Sequence, residues 1–275
     1  MNESIVRLIS GIVYVSLLVF ATFNFESFYV LFGIFAVIAA FEFSKLIKIQ
    51  PVIASVFCAL CMFGNYYIIQ NAYIEYTLLT IALIVSFMLV SMLFTRNDEN
   101  KDIDLVSKWI LLVGYIILPF ICITKIPIGN DGYNQKIILS IFILIWTNDT
   151  FAYIVGKSIG KHKLLEKISP KKTIEGFLGG MIFSIIAGIL ISKYYFIPKP
   201  HYQKTSIIIW SVIAILVSVF GTVGDLIESK FKRQAGVKDS GKIMPGHGGI
   251  LDRLDSLIFV APFVFLFYQI LSYFK

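Results

Sequence analysis

Residues 76–95 read YTLLTIALIVSFMLVSMLFT, an apolar run without one charged side chain. As a helix, such a stretch crosses roughly 30 Å of hydrocarbon. Lipid offers backbone groups no partners, so a span must be a helix or part of a closed barrel. The run is continuous rather than alternating, which selects the helix. Working outward, eight further continuous apolar blocks, each with at most two charged residues, lie at about 6–23, 28–44, 51–70, 108–125, 136–155, 177–195, 207–226 and 257–273. The expected fold is all-α, a polytopic membrane protein with about nine transmembrane helices. Composition agrees: 57% of the 275 residues are hydrophobic, above the roughly 45–50% of a soluble domain, and mean hydropathy is +0.83.

Charge sets an expected orientation. There are 24 Lys and Arg against 17 Asp and Glu, a net charge of +7. With a cytoplasmic N-terminus, 18 of the 24 basic residues fall inside, among them Arg7, Lys45, Lys48, Arg96, Lys101 and Lys108. Outside remain Lys125, Lys136, Lys193, Lys199, Lys204 and Lys275. The positive-inside rule then places the N-terminus in and the C-terminus out. Nucleic acid is excluded as a partner because no soluble basic face exists outside the loops; anionic lipid headgroups or a nucleotide fit better. The first block follows Arg7 but no small-residue cleavage site follows it, so it reads as a retained span. Cys58, Cys61 and Cys122 lie in apolar helices and read as packing residues.

The polar residues divide the chain into a four-span region, 1–107, and a five-span catalytic region, 108–275. The polar loops 156–176 and 227–256 both face the cytoplasm in this orientation, and the first four spans carry few polar residues. Glu42 reads as snorkelling or pairing with Lys45. Pro119 reads as a kink.

Acids stand where acids are costly. Asp149 falls roughly 12 Å below the cytoplasmic end of the sixth span, at 1.5 Å per residue; a hydrogen-bonded polar pair with Asn148 is the alternative to a functional role. Asp225 and Glu228 are three apart at the end of the eighth span, and Asp252 and Asp255 are three apart at the entrance of the ninth. Residues at i and i+3 share a helix face. Two such faces would gather four carboxylates, which repel unless hard divalent cations or Lys and Arg sit among them. Lys230, Lys232, Arg233, Lys238, Lys242, His247 and Arg253 crowd the same loop, and Pro245-Gly-His-Gly-Gly lets backbone approach a ligand. Carboxylates, basic residues and a glycine-rich turn make a kit for phosphate chemistry at a metal. Helix capping accounts for one or two of these residues, not the set. In the other loop, Ser169-Pro-Lys-Lys-Thr, with Lys171 and Lys172, is the expected ligand contact, while His162 and His201 have no assigned role. Gly176 and Gly180 have the spacing that lets two helices pack closely.

Ser229-Lys-Phe-Lys-Arg, Lys238-Asp-Ser-Gly and Pro245-Gly-His-Gly-Gly-Ile-Leu-Asp-Arg-Leu-Asp255 together resemble the signature of the phosphatidate cytidylyltransferases (CDP-diacylglycerol synthases). Met244 stands where that family usually has Leu, Ile or Phe. Ser169-Pro-Lys-Lys-Thr-Ile-Glu-Gly and Asp149, with Tyr153 and Gly156, are also similar, so the likeness covers roughly residues 140–260. It implies CTP and phosphatidate as substrates, CDP-diacylglycerol and pyrophosphate as products, and Mg²⁺, in a one- or two-metal site. It also implies a bilayer setting in a bacterial-type cell membrane and family members that include homodimers.

Carried over, Asp225 and Asp252 are the main metal ligands, with Asp255 and Glu228 close behind. Lys232, Arg233 and His247 join Asp225, Asp252 and Asp255 as catalytic residues. Asp149, Ser169, Lys171, Lys172, Ser229, Lys238, Asp239, Gly248, Gly249 and Arg253 contact substrates. A CTP-dependent polyprenol kinase would need a positioned base to deprotonate an alcohol, and the full signature argues against it. A transporter should show inverted repeats or paired broken helices, and a CDP-alcohol phosphotransferase a D-G-x-x-A-R pattern; none is found.

Overall fold

The computed structural model describes residues 3–67, 71–94, 104–129 and 132–273. Arg96, Lys101 and Lys275 of the charge count, and the expected span ends at 68–70 and 95, lie outside the described residues. The chain is an all-α polytopic membrane protein.

The helices are α1 Glu3–Ala21, α2 Phe25–Leu46, α3 Pro51–Tyr67, α4 Ala72–Phe94, α5 Leu105–Leu111, α6 Leu118–Lys125, α7 Gln135–Ile159, α8 Ile174–Leu190, α9 Gln203–Gln234 and α10 Leu251–Tyr273. A π-helical stretch, Leu112–Ile117, joins α5 to α6, and another, Ile191–Phe196, extends α8. Among the described residues, seven rods are long and apolar enough to cross a membrane, Leu105–Lys125 and Ile174–Phe196 included; α1 and α3 are shorter apolar helices. Two short hairpins interrupt them: β1 Ile128–Gly129 with β2 Gly132–Tyr133, and β3 Lys163–Leu165 with β4 Ser169–Thr173.

Burial sorts the helices into an inner and an outer set. In α6, residues Leu118 to Thr124 are all buried, and α10 is buried from Leu254 to Phe265 apart from Asp255. Buried Phe32 of α2 packs on Phe120 of α6, and buried Phe43 on Tyr115 and on Phe231 of α9. By contrast α1, α3 and α4 display Ile12, Val13, Ile53, Leu60, Ile84 and Phe87, which a surface solvated by lipid can tolerate. Pro119 stands in the first turn of α6, directly after the π stretch. Widening the helix there accommodates a residue that has no N–H and whose ring would crowd the preceding turn. The expected kink is thus a local change of helix type.

Three glycine-lined approaches hold the second half together. A Cβ at Gly176 would lie 2.7 Å from the Ala152 carbonyl, and one at Gly180 2.7 Å from the Asn148 carbonyl, so α8 meets α7 backbone to backbone. Gly188 meets the Trp210 carbonyl of α9 equally closely, at 2.7 Å. At Gly224 a Cβ would come within 2.7 Å of the Asp255 carbonyl and 2.6 Å of Phe259 Cβ. This last approach draws α9 and α10 together at the level of the acids.

Helix α9 overruns its expected end at about residue 226 and continues to Gln234. Buried Phe231 and the Glu228–Lys232 pair, one turn apart, stabilise the extra turns. Gly236, with φ of +70°, then stops the helix. Val237 N–H donates to the Lys232 carbonyl at 2.9 Å and Gly236 N–H to that of Arg233 at 3.0 Å, the paired bonds of a Schellman termination.

Candidate active site

Asp225 and Glu228 on α9 and Asp255 on α10 each bring a carboxylate oxygen within 4.8 Å of the others. Their spacing follows from helix period along α9 and from the Gly224 approach across to α10. Glu228 is 1% exposed, and its Oε1 has no hydrogen-bond partner. Carboxylates this close repel one another strongly in a medium of low polarity. A hard cation with oxygen ligands at short distance is what this donor set fits.

Two ammonium groups reach the cluster from outside it. Lys172 Nζ, from β4, lies 2.6 Å from Asp225 Oδ2 and so ties the hairpin loop to α9. Lys232 Nζ lies 2.6 Å from Glu228 Oε2 and 2.7 Å from Asp252 Oδ1. Ser229 Oγ donates to Asp225 Oδ1 at 3.2 Å.

Asp252, expected beside Asp225 as a main metal ligand, stands outside the three-carboxylate cluster. Its Oδ2 accepts from Ser240 N–H at 2.9 Å, Ser240 Oγ at 2.9 Å and Gly249 N–H at 2.8 Å. With Lys232 on Oδ1, both oxygens of this carboxylate are engaged. The bond back to Gly249, three residues earlier, fixes the backbone just ahead of the helix. Asp252 therefore closes the start of α10 while holding Lys232 in place.

The glycine-rich segment is a defined turn. His247 N–H donates to the Met244 carbonyl at 3.0 Å, Pro245 occupies the second turn position, and Gly246 takes φ of +74°, as a type II turn requires. Met244 N–H then bonds the Gly248 carbonyl at 2.9 Å. His247 does not point into open solvent: its Nδ1 lies 2.7 Å from Ser10 Oγ of α1, which is also 3.0 Å from the Pro245 carbonyl. Arg7 packs against Gly246.

Glu42 departs furthest from expectation. It neither snorkels nor pairs with Lys45, whose ammonium lies over the Phe41 ring instead. Its carboxylate is buried and accepts from Ser240 Oγ at 3.2 Å, Ile250 N–H at 3.3 Å and Leu251 N–H at 2.8 Å. Ser10 and Glu42 were the residues that sequence reasoning missed. An isolated acid inside a long apolar block was the available signal for Glu42; a serine in α1 carried none.

The remaining expected residues surround this core. Ser169 begins β4, and Lys171 beside Lys172 is exposed. Asp149 of α7 keeps an open side chain, takes a 3.3 Å bond from Asn148 Nδ2, and lies in electrostatic range of Lys172, Asp225 and Asp255. Gly248 backs onto Asp252 and Asp239, where a Cβ would stand 2.7 Å from Asp252 Oδ2 and 3.4 Å from Asp239 Cβ. Arg233, Lys238 and Arg253 are exposed, and among the described residues none of them, nor Lys171, is held in an ion pair. The site thus combines a buried acid cluster, two lysines fixed at its edge and a fringe of uncommitted cations.

Comparison with known proteins bears on this arrangement. The chain is 42% identical over 181 residues to the phosphatidate cytidylyltransferase of Staphylococcus haemolyticus, covering 65% of this chain and 64% of that protein. It is 41% identical over 181 residues to that of Staphylococcus saprophyticus, with the same coverage of 65% and 64%. It is 43% identical over 166 residues to that of Bacillus subtilis, covering 58% of this chain and 60% of that protein. The chain therefore spans between 60% and 64% of the length of these curated relatives. The profile of the cytidylyltransferase family matches residues 5–271, nearly end to end. On that match, the chain belongs to the cytidylyltransferase family.

Proposed function

We propose that this protein transfers the cytidylyl group of CTP to phosphatidate, forming CDP-diacylglycerol and pyrophosphate. The observation that carries the reading is the cluster of Asp225, Glu228 and Asp255 with Lys172 and Lys232 at its edge. Relatives named phosphatidate cytidylyltransferase support the choice of substrates.

Phosphatidate carries a phosphate monoester that is nearly dianionic at neutral pH, so its oxygen attacks without a strong general base. The difficulty is bringing two anions together. Lys172 and Lys232 meet phosphate oxygens at the cluster, and exposed Lys171, Arg233, Lys238 and Arg253 neutralise the rest of the triphosphate. A phosphatidate oxygen forms a bond to the α-phosphorus of CTP in line with the departing group. The bond from that phosphorus to the bridging oxygen breaks, and the electron pair leaves with pyrophosphate. Asp225, Glu228 and Asp255 would hold Mg²⁺, which when bound neutralises phosphate charge and fixes phosphate oxygens. Asp252 orders the loop and holds Lys232; Ser10 holds His247 beside the turn. The lipid enters sideways from the cytoplasmic leaflet near the open side of Asp149.

In the orientation that fits this reading, the N-terminus and the site face the cytoplasm of a bacterial-type cell and the C-terminus lies outside. The Lys172–Asp225 pair supports one shared side for both polar loops.

The test is an assay of purified protein with phosphatidate and CTP labelled separately at the α and γ positions. Label from the α position is expected in a CDP-lipid product, with equimolar pyrophosphate. Lipid labelled only from the γ position would overturn the reading in favour of a kinase.

A further inference from the structure

Glu42 is buried at 2% exposure, on α2, far in sequence from the residues it touches. Among the described residues no cation pairs with it; what faces it are hydrogen-bond donors. Two of them, the N–H groups of Ile250 and Leu251, lie at the start of α10, 208 and 209 residues away. The first N–H groups of a helix have no partner inside it, and the helix dipole makes that end favourable for an anion. Glu42 is thus an N-terminal cap for α10 delivered by another helix.

The loop before α10 is shaped around this carboxylate. A Cβ at either Gly241 or Gly249 would collide with it, and at Gly249 would also lie 2.5 Å from Ser240 Oγ. Ser240 Oγ is 3.2 Å from Glu42 Oε2 and 2.9 Å from Asp252 Oδ2. A hydroxyl has one proton, so the two carboxylates share a single donor. The chain of contacts runs from Glu42 through Ser240 to Asp252, then through Lys232 to Glu228 in the cluster. A second route runs along α10 from its capped first turn to Asp255, one turn further on.

We propose that Glu42 is a positioning residue for the transfer reaction: a buried cap from α2 that sets the placement of α10 and so of Asp255 in the carboxylate cluster. The catalytic part rests on the function proposed above, whereas the capping part does not. Glutamine at this position keeps the shape but turns one acceptor oxygen into a donor facing other donors.

The test compares purified full-length wild type, Glu42→Gln, Glu42→Asp and Ser240→Ala by kinetics and by hydrogen exchange. For Glu42→Gln the expected result is a fall in kcat of at least about 10-fold with KM for phosphatidate changed less than about 2-fold. The Mg²⁺ concentration for half-maximal rate should rise. Amides of 249–256 should exchange faster, while those of the β3–β4 hairpin stay unchanged. Glu42→Asp should restore part of the rate, and Ser240→Ala should show the same pattern at smaller size.

Wild-type kcat and exchange in Glu42→Gln would overturn the proposal. So would activity lost only in proportion to protein unfolded, with exchange raised everywhere. If Glu42→Gln does not fold, unchanged kcat, Mg²⁺ dependence and exchange in Ser240→Ala would overturn it. If wild type makes no CDP-lipid but Glu42→Gln still loosens 249–256 and weakens Mn²⁺ binding, the function fails while the capping role stands.

Discussion

The two polar loops reach their shapes by opposite routes. The 160–176 loop closes on itself: Glu175 takes the N–H groups of Lys161 and His162 and lies 2.6 Å from His162 Nδ1, while Lys163 Nζ donates to the Pro170 carbonyl at 2.6 Å. Thr173 caps α8 by accepting from Gly176 N–H at 3.1 Å. Its hydrogen-bond partners are at most 14 residues apart, and the Lys172–Asp225 ion pair is its described link to α9. The 235–250 loop has local turns at both ends, but its middle is held by Asp252, by Glu42 and by Ser10. The first loop is a self-contained platform for Lys171 and Lys172. The second takes its form from the packing of α1, α2, α9 and α10, so disturbing those helices disturbs chemistry directly.

The sharpest way to break the contrast is Asp252→Asn, which removes charge from the residue that joins Ser240, Gly249 and Lys232. We expect CDP-diacylglycerol formation to fall at least ~100-fold, about 2.7 kcal/mol of transition-state stabilisation. Near wild-type turnover in a product assay would contradict this. Lys172→Ala cuts the one described ion pair between hairpin and cluster and should cost roughly 10-fold in kcat/KM, about 1.4 kcal/mol. A Lys172→Arg enzyme that recovered most of the rate would show that charge, more than shape, matters there.

Gly224→Ala attacks the second loop from beneath, by forcing α9 and α10 apart. Overpacking of this kind costs about 1–3 kcal/mol, read as a lower midpoint in thermal unfolding together with lost activity. Separation of the two, full activity in a destabilised protein, would mean the acids tolerate a wider helix spacing. The smallest effect belongs to the self-contained loop. Glu175→Ala should change stability by less than about 1 kcal/mol, because the His162 contact is solvent-exposed. Activity should drop only a few-fold, and a loss as large as that of Asp252→Asn would erase the distinction between the loops.

Legibility in the sequence follows the same division. Nine apolar blocks correspond to seven long rods and two shorter apolar helices, because hydrophobic length is a local property that lipid reads segment by segment. The pairing of Asp225 with Glu228 was visible for the same reason, as helix period puts them on one face. The end of α9 is not legible, because Lys230, Lys232 and Arg233 resemble loop residues. The Glu228–Lys232 pair and buried Phe231 made that charged stretch helical.

The sequence by itself determined the membrane fold, the acids and cations in the second half, and the turn formed by Pro245 and Gly246. Each depends on residues near one another in the chain. Only the tertiary structure decided which acids stand together. Gly224 selects Asp255 for the cluster by admitting α10 to within backbone contact, and Asp252 is turned away by Ser240 and Gly249. Only packing could bring Glu42, from a stretch otherwise without polar function, under the first turn of α10. A buried carboxylate needs donors, the helix start needs an acceptor, and neither requirement is written in the sequence spacing between them.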